Sequence, residues 1–157
     1  MQDYYEPKIG EKAQNFRLPS TDGKKVSLKD FKGSEVILYF YPRDNTPGCT
    51  AEACSFRDNM SALKGAGAIV LGVSTDSLES HDKFREKHDL NFTLLSDESS
   101  DVAKMYGVWG EKNMYGKRIW GVKRTTFWIG ADGKIKKIWK KVQTKTHGED
   151  VMAELKG

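Results

Sequence analysis

The run Val36-Ile37-Leu38-Tyr39-Phe40-Tyr41, stopped by Pro42, constrains this chain more than any other feature. Six successive apolar or aromatic residues leave no polar face, so a strand here has to be covered on both sides. Ala68-Ile69-Val70-Leu71-Gly72-Val73 is a second run of that kind, and Phe92-Thr93-Leu94-Leu95 is a shorter third. Strands of this type sit in the middle of a sheet with a layer on each face. At 157 residues the chain can bury such a core without disulfides or a structural metal.

The segments between the runs have helical spacing. Cys49, Ala53, Phe56, Met60 and Leu63 fall on one face and predict a single helix ending near Gly65. Ser77 is placed to cap a helix running to about His88, and Ser99 one running to about Tyr106. Thr21-Asp22-Gly23 reads as the turn of a hairpin between Asn15–Leu18 and Lys25–Leu28. A second hairpin is expected from the alternating Thr125, Phe127 and Ile129, across Asp132-Gly133, to Lys134–Val142. Glu149–Leu155 fits a last helix. Gly107–Gly121 reads as a long loop bordering the site, holding Trp109 and Trp120. With no repeat or linker, residues 1–157 read as a single α/β domain of three layers: a mixed central β-sheet flanked by helices. The spacing suggests a thioredoxin-like topology.

Composition narrows the setting. Charged residues make up 31%, mean hydropathy is −0.64, and no stretch of about 18 apolar residues exists, which argues against a membrane span. Met1–Gly10 holds acids and a proline but no apolar leader segment, so a cytoplasmic, reducing location is the expectation. In that compartment the 2 cysteines, Cys49 and Cys54, are more readily catalytic than structural. No cofactor is implied. No metal is expected either, since two cysteines with scattered His81, His88 and His147 lack a zinc spacing.

The chemistry centres on Cys49. Thr46 is a good helix N-cap, Pro47 then falls at the first helical position, and Cys49 falls at the third. There the unpaired N–H groups and the positive end of the helix favour an anion, and a thiolate is that anion. A lone cysteine on this apolar stripe would read as a small core residue. The cap, the Thr-Pro-Gly approach and a second thiol five residues on reverse that preference. The spacing is not Cys-x-x-Cys. In a regular helix, residues five apart have Cα atoms about 8.7 Å apart, beyond the reach of a disulfide at about 7 Å. A Cys49–Cys54 bond would require the turn to unwind, and Gly48, Ala51 and Ala53 offer small side chains to resist it.

The segment Tyr41-Pro42-Arg43-Asp44-Asn45-Thr46-Pro47-Gly48-Cys49, continued through Cys54 to Asp58, resembles the active-site segment of the peroxiredoxins. Within them it is similar to the bacterioferritin-comigratory-protein, or peroxiredoxin Q, branch. Gly72–Ser77, Ser80–Phe84, Leu95–Asp97 and Arg124–Phe127 extend the likeness over nearly the whole chain. Only Gly130, where an acid is common, and Trp128, where an aliphatic residue is usual, depart from the pattern.

The resemblance implies a thiol peroxidase acting on hydrogen peroxide and organic hydroperoxides. Cys49 would be the peroxidatic cysteine and Cys54 the resolving one. Thr46 would contact peroxide and thiolate, and Pro42 would shield the pocket from water. Arg124 would face the site with Glu52 orienting it, and Gly48 would belong with Pro42 and Glu52 to the surroundings of the bound peroxide. A sulfenic acid on Cys49 would condense with Cys54, and thioredoxin or a similar dithiol would reduce the bond. A monomer is expected.

Two other readings start from the same residues. The disulfide could switch a non-enzymatic sensor or chaperone. Lys112–Lys145 holds 11 basic residues and 1 acid, +10 against −6 elsewhere, with Tyr115, Trp120, Trp128 and Trp139 interleaved. That could mark a nucleic-acid surface. It lacks a binding motif, and solvated hairpin lysines are the simpler explanation.

Overall fold

The computed structural model describes residues 6–157. The leader-segment reading of Met1–Gly10 therefore lies partly outside the described residues. The chain begins with a small hairpin, β1 (Arg17–Pro19) and β2 (Lys25–Ser27), followed by a 3-10 turn at Leu28–Phe31. Then come β3 (Glu35–Phe40), α1 (Pro47–Asp58), α2 (Met60–Gly65), β4 (Ala68–Ser74), α3 (Leu78–Lys87) and β5 (Thr93–Ser96). The rest is α4 (Asp101–Met105), β6 (Trp109–Met114), β7 (Lys117–Val122), β8 (Thr125–Ile129), β9 (Ile135–Trp139) and α5 (His147–Lys156).

The central sheet has the order β5-β4-β3-β8-β9. β3, β4 and β5 run parallel, and β8 and β9 add antiparallel, so the sheet is mixed as expected. β3 occupies the middle and divides its side chains between two cores. Val36, Leu38 and Phe40 face one, with α4, the β1–β2 hairpin and Val122. Ile37, Tyr39 and Tyr41 face the other, with Cys49, Phe56, Phe84 and Val151 from the helices. That division is why the run carries no polar residue. Gly72 on β4 is set by the same packing, since a Cβ there would lie 2.9 Å from the Tyr39 ring and from Leu94.

Three expectations need correction. The predicted helix through Leu63 is two: α1 stops at Asn59, whose side chain donates to Ser55 O at 2.8 Å, and α2 restarts after it. An asparagine that competes for backbone carbonyls is a natural place for such a break. Ser99 lies one residue before the N-cap of α4, which is Ser100, and its hydroxyl accepts only from Asp101 N at 3.3 Å. Buried Asp97 takes the next two N–H groups, accepting from Val102 (3.2 Å) and Ala103 (2.8 Å), while Ser100 turns the chain with φ 64°. The stretch read as a loop over Gly107–Gly121 is mostly the β6–β7 hairpin, turning at Tyr115-Gly116 with φ of 53° and 79°. Both turn residues are left-handed, as a type I′ two-residue hairpin turn requires.

Candidate active site

α1 begins where the central strand runs out. Tyr41 is still buried, Pro42 ends the strand, and residues 43–46 cross to the helix. This crossing is anchored from behind by a buried polar network. Asp44 accepts from Tyr41 Oη (2.7 Å) and Ser80 Oγ (2.8 Å) and pairs with His81 Nδ1 (2.7 Å), while His81 Nε2 meets Leu95 O at 2.8 Å. The Asp44 N–H donates to Asp76 Oδ2 at 2.8 Å, which also accepts from Ser74 Oγ at 2.6 Å. Asp44, Asp76 and His81 bring ligand-type atoms within 4.8 Å of one another, yet hydrogen bonds of the fold already engage them. The cluster anchors the crossing.

Thr46 has extended backbone at the N-cap position, and its carbonyl accepts from Thr50 N at 2.8 Å. Its side chain does not cap. The hydroxyl donates back to Arg43 O at 2.9 Å, which corrects the expectation that it would do both jobs. Pro47 takes the first helical position and Cys49 the third. Cys49 is 1% exposed, Cys54 is half-buried, and both thiols are free within the one helix α1. Ala51 is half-buried but Ala53 is fully buried, so α1 is held more firmly at that turn than side-chain size suggests.

Arg124 ties the site together. It lies in the β7–β8 connection, just before β8. Its Nη2 donates to Cys49 Sγ at 3.3 Å and its Nη1 to Glu52 Oε1 at 2.6 Å. Gly48 lets the guanidinium approach, since a Cβ there would sit 3.1 Å from Nη2. Burial pulls the Arg124 pKa down, but Glu52 and Cys49 outweigh it and leave it raised. Glu52 is 0% exposed. Burial pushes its carboxyl up to about 7, against the lowering pull of Arg124.

Three residues near this centre were not singled out by sequence. His147, remote in the chain, is brought by α5 to 4.0 Å from Glu52 Oε2, with Nε2 also 2.8 Å from Thr126 Oγ1. Burial drops its pKa to about 4, so it is neutral. Tyr39 Oη is buried without a hydrogen-bond partner among the described residues. Lys112, on β6, donates to Val122 O at 3.0 Å, and its pKa is lowered by burial and then by Arg124, against the opposing pull of Cys49. No spacing in the sequence points to these three, because they come from three distant elements, β3, β6 and α5. The β6–β7 hairpin does border the crossing: a cavity of about 460 Å³ is lined by Pro42 and Thr46 on one side and by Trp109, Lys112, Ile119 and Trp120 on the other.

The AhpC/TSA family model matches residues 9–138. The chain belongs to that family, the peroxiredoxins. Its branch follows from the relatives. The chain is 50% identical to peroxiredoxin Bcp of Escherichia coli K12 over 149 residues, 95% of this chain and 96% of that protein. It is 45% identical to peroxiredoxin Bcp of Bacillus subtilis over 148 residues, 94% of each. These place this peroxiredoxin in the bacterioferritin-comigratory-protein, or peroxiredoxin Q, branch. A Xylella fastidiosa PrxQ mutant structure superposes with a TM-score of 0.91 at 35% identity, covering 97% of both chains. A Xanthomonas campestris bacterioferritin comigratory protein, described through its alkyl peroxide reduction activity, gives 0.84 at 38% identity and 90% of both. The three-layer fold is thus that of thioredoxin-like peroxiredoxins, and the protein is a thiol peroxidase.

Part of the basic segment is paired with acids. Arg118 pairs with Glu111, Lys136 with Glu35, Lys137 with Glu154 and Lys140 with Glu6, while Lys136 and Lys137 also lie over Trp128 and Trp139. No helix among the described residues is long and apolar enough to cross a membrane.

Proposed function

We propose that Cys49 is the peroxidatic residue and that this peroxiredoxin reduces hydrogen peroxide and organic hydroperoxides through an intramolecular Cys49–Cys54 disulfide. The contact that carries the reading is Arg124 Nη2 donating to Cys49 Sγ at 3.3 Å. A fixed cation and the first turn of α1 both favour an anionic sulfur there. The thiolate attacks the distal peroxide oxygen, the O–O bond breaks, and Cys49 becomes a sulfenic acid. Thr46 orients the peroxide and Pro42 keeps water off the sulfur. The Trp109, Ile119 and Trp120 side of the cavity offers apolar surface to an organic substituent, which accords with the alkyl peroxide activity described for the Xanthomonas campestris relative.

Cys54 then resolves the sulfenic acid. Both thiols lie in α1, about 8.7 Å apart between Cα atoms in regular helix, so the first turns of α1 unwind before the disulfide forms. Thioredoxin or a similar dithiol reduces the bond in a reducing, cytoplasmic setting. One chain supplies both thiols, so a monomer suffices.

The test is peroxide consumption coupled to thioredoxin, thioredoxin reductase and NADPH. Multiple turnovers are expected, with Cys49→Ser inactive and Cys54→Ser limited to a single oxidation. Full turnover by Cys49→Ser, or one stoichiometric oxidation without turnover in the wild type, would overturn the reading.

A further inference from the structure

Arg124 faces two groups that can each carry a negative charge. One guanidinium contacts Cys49 Sγ at 3.3 Å and Glu52 Oε1 at 2.6 Å. If both were ionised, a buried site would hold two anions against one cation. Glu52 has no water-facing surface, and its Oε2 accepts no hydrogen bond from any described residue. A buried anionic oxygen without donors costs far more than a neutral one. The groups around it do not compensate. Tyr39 on β3 and Cys49 on α1 add negative charge only when ionised, and His147 on α5, with Asp150 beside it, is neutral. Lys112 lies near Arg124 and Cys49, with its ammonium committed to Val122 O. Arg124 is therefore the cation for which sulfur and carboxylate compete.

We propose that Glu52 stores the proton of the peroxidase reaction: it is protonated while Cys49 is a thiolate and ionises when the sulfur loses its charge. The proposal rests on the peroxidase reading above. Attack on the peroxide breaks the O–O bond, leaves a neutral sulfenic acid on Cys49 and expels an alkoxide or hydroxide that needs one proton. Arg124 then has a single anion to serve, and Glu52 ionises. The balance is thiolate, hydroperoxide and Glu52 carboxylic acid giving sulfenic acid, alcohol or water, and Glu52 carboxylate. Disulfide formation removes the sulfenic hydroxyl with the Cys54 proton as water. Reduction by a dithiol regenerates the Cys49 thiolate, and the two thiol protons pass to Cys54 and Glu52. The charge of the buried site stays constant throughout, and the raised Glu52 carboxyl agrees with this order.

The test is infrared difference spectroscopy of the wild type, reduced minus oxidised by one equivalent of hydrogen peroxide at pH 6, with free thiols counted alongside. A protonated-carboxyl C=O stretch is expected in the reduced protein, lost on oxidation and missing from Glu52→Gln. Proton uptake in weak buffer gives a second readout. The wild type should take up almost no proton per disulfide, and Glu52→Gln one proton for each thiolate whose ultraviolet absorbance disappears. Disulfide formation with no change in a carboxyl band, or full proton uptake by the wild type, would overturn the store and leave the peroxidase reading standing. Thiols that stay unoxidised would overturn both.

Discussion

Gly48→Ala should slow this protein while changing its stability little. A methyl group at position 48 would meet Arg124 Nη2 at 3.1 Å, closer than ordinary van der Waals contact. The guanidinium cannot simply swing away, because Nη1 is held by Glu52 at 2.6 Å. It must yield by lengthening the 3.3 Å contact to Cys49 Sγ. A hydrogen bond to a charged group is worth about 1.5–3 kcal/mol. Losing half of it, about 0.75–1.5 kcal/mol, slows peroxide attack roughly 3- to 13-fold. Replacing a helical glycine by alanine restricts the unfolded chain and contributes about 0.4–1 kcal/mol in the opposite direction. The assay is rapid-mixing oxidation of the reduced protein by hydrogen peroxide, with thermal unfolding beside it. A variant that reacts as fast as the wild type would refute the claim that Gly48 sets the Arg124–Cys49 contact.

Two further predictions concern the buried groups around Glu52. Its carboxyl, at about 7 in the fold against an ordinary 4.5, gives stability that is full below 4.5 and lost as pH rises through 7. His147, lowered to about 4 from 6.5, gives stability that is full above 6.5 and lost as pH falls through 4. Each is worth about 3.5 kcal/mol at about 1.4 kcal/mol per pKa unit, and they largely cancel between pH 4.5 and 6.5. Urea unfolding should therefore show Glu52→Gln losing stability on acidification and His147→Gln gaining it; parallel curves for the two variants would contradict the assignment. Tyr39→Phe removes a buried hydroxyl that has no partner among the described residues while keeping the ring stacked on Phe56. It should raise stability by about 1 kcal/mol, or about 2–4 °C in melting temperature, and a lower melting temperature would show that the hydroxyl is bonded.

How far the sequence carries depends on the range of the forces involved. The β3 run, the α1 stripe and the Pro47 start are local patterns, and the structure keeps them. The β6–β7 hairpin was missed because its strands are short of alternation and largely exposed, and because Tyr115 takes a left-handed position usually filled by Asn, Asp or Gly. Tyr115-Gly116 was the available signal. Thr46 illustrates a different limit: the residue type and position were right for a cap, yet its hydroxyl found a carbonyl three residues back. Cys49 is legible from the helix start and Glu52 and Arg124 only through the resemblance, and the structure brings Arg124 into contact with both of the others. His147 joins them only through the packing of α5 on α1, where a Cβ on Gly148 would come within 2.5 Å of Ser55 O. Nothing local in the sequence encodes that approach.

The central claim is that Cys49 and Cys54 are reactants on one helix that must open to join them. The most direct measurement oxidises the reduced protein with one equivalent of hydrogen peroxide, maps the disulfide by mass spectrometry, and follows amide hydrogen exchange across residues 48–58. The account predicts an intrachain Cys49–Cys54 bond accompanied by faster exchange in α1. A Cys49 that remains sulfenic or overoxidised with Cys54 still free, or a disulfide formed with α1 protection unchanged, would contradict it.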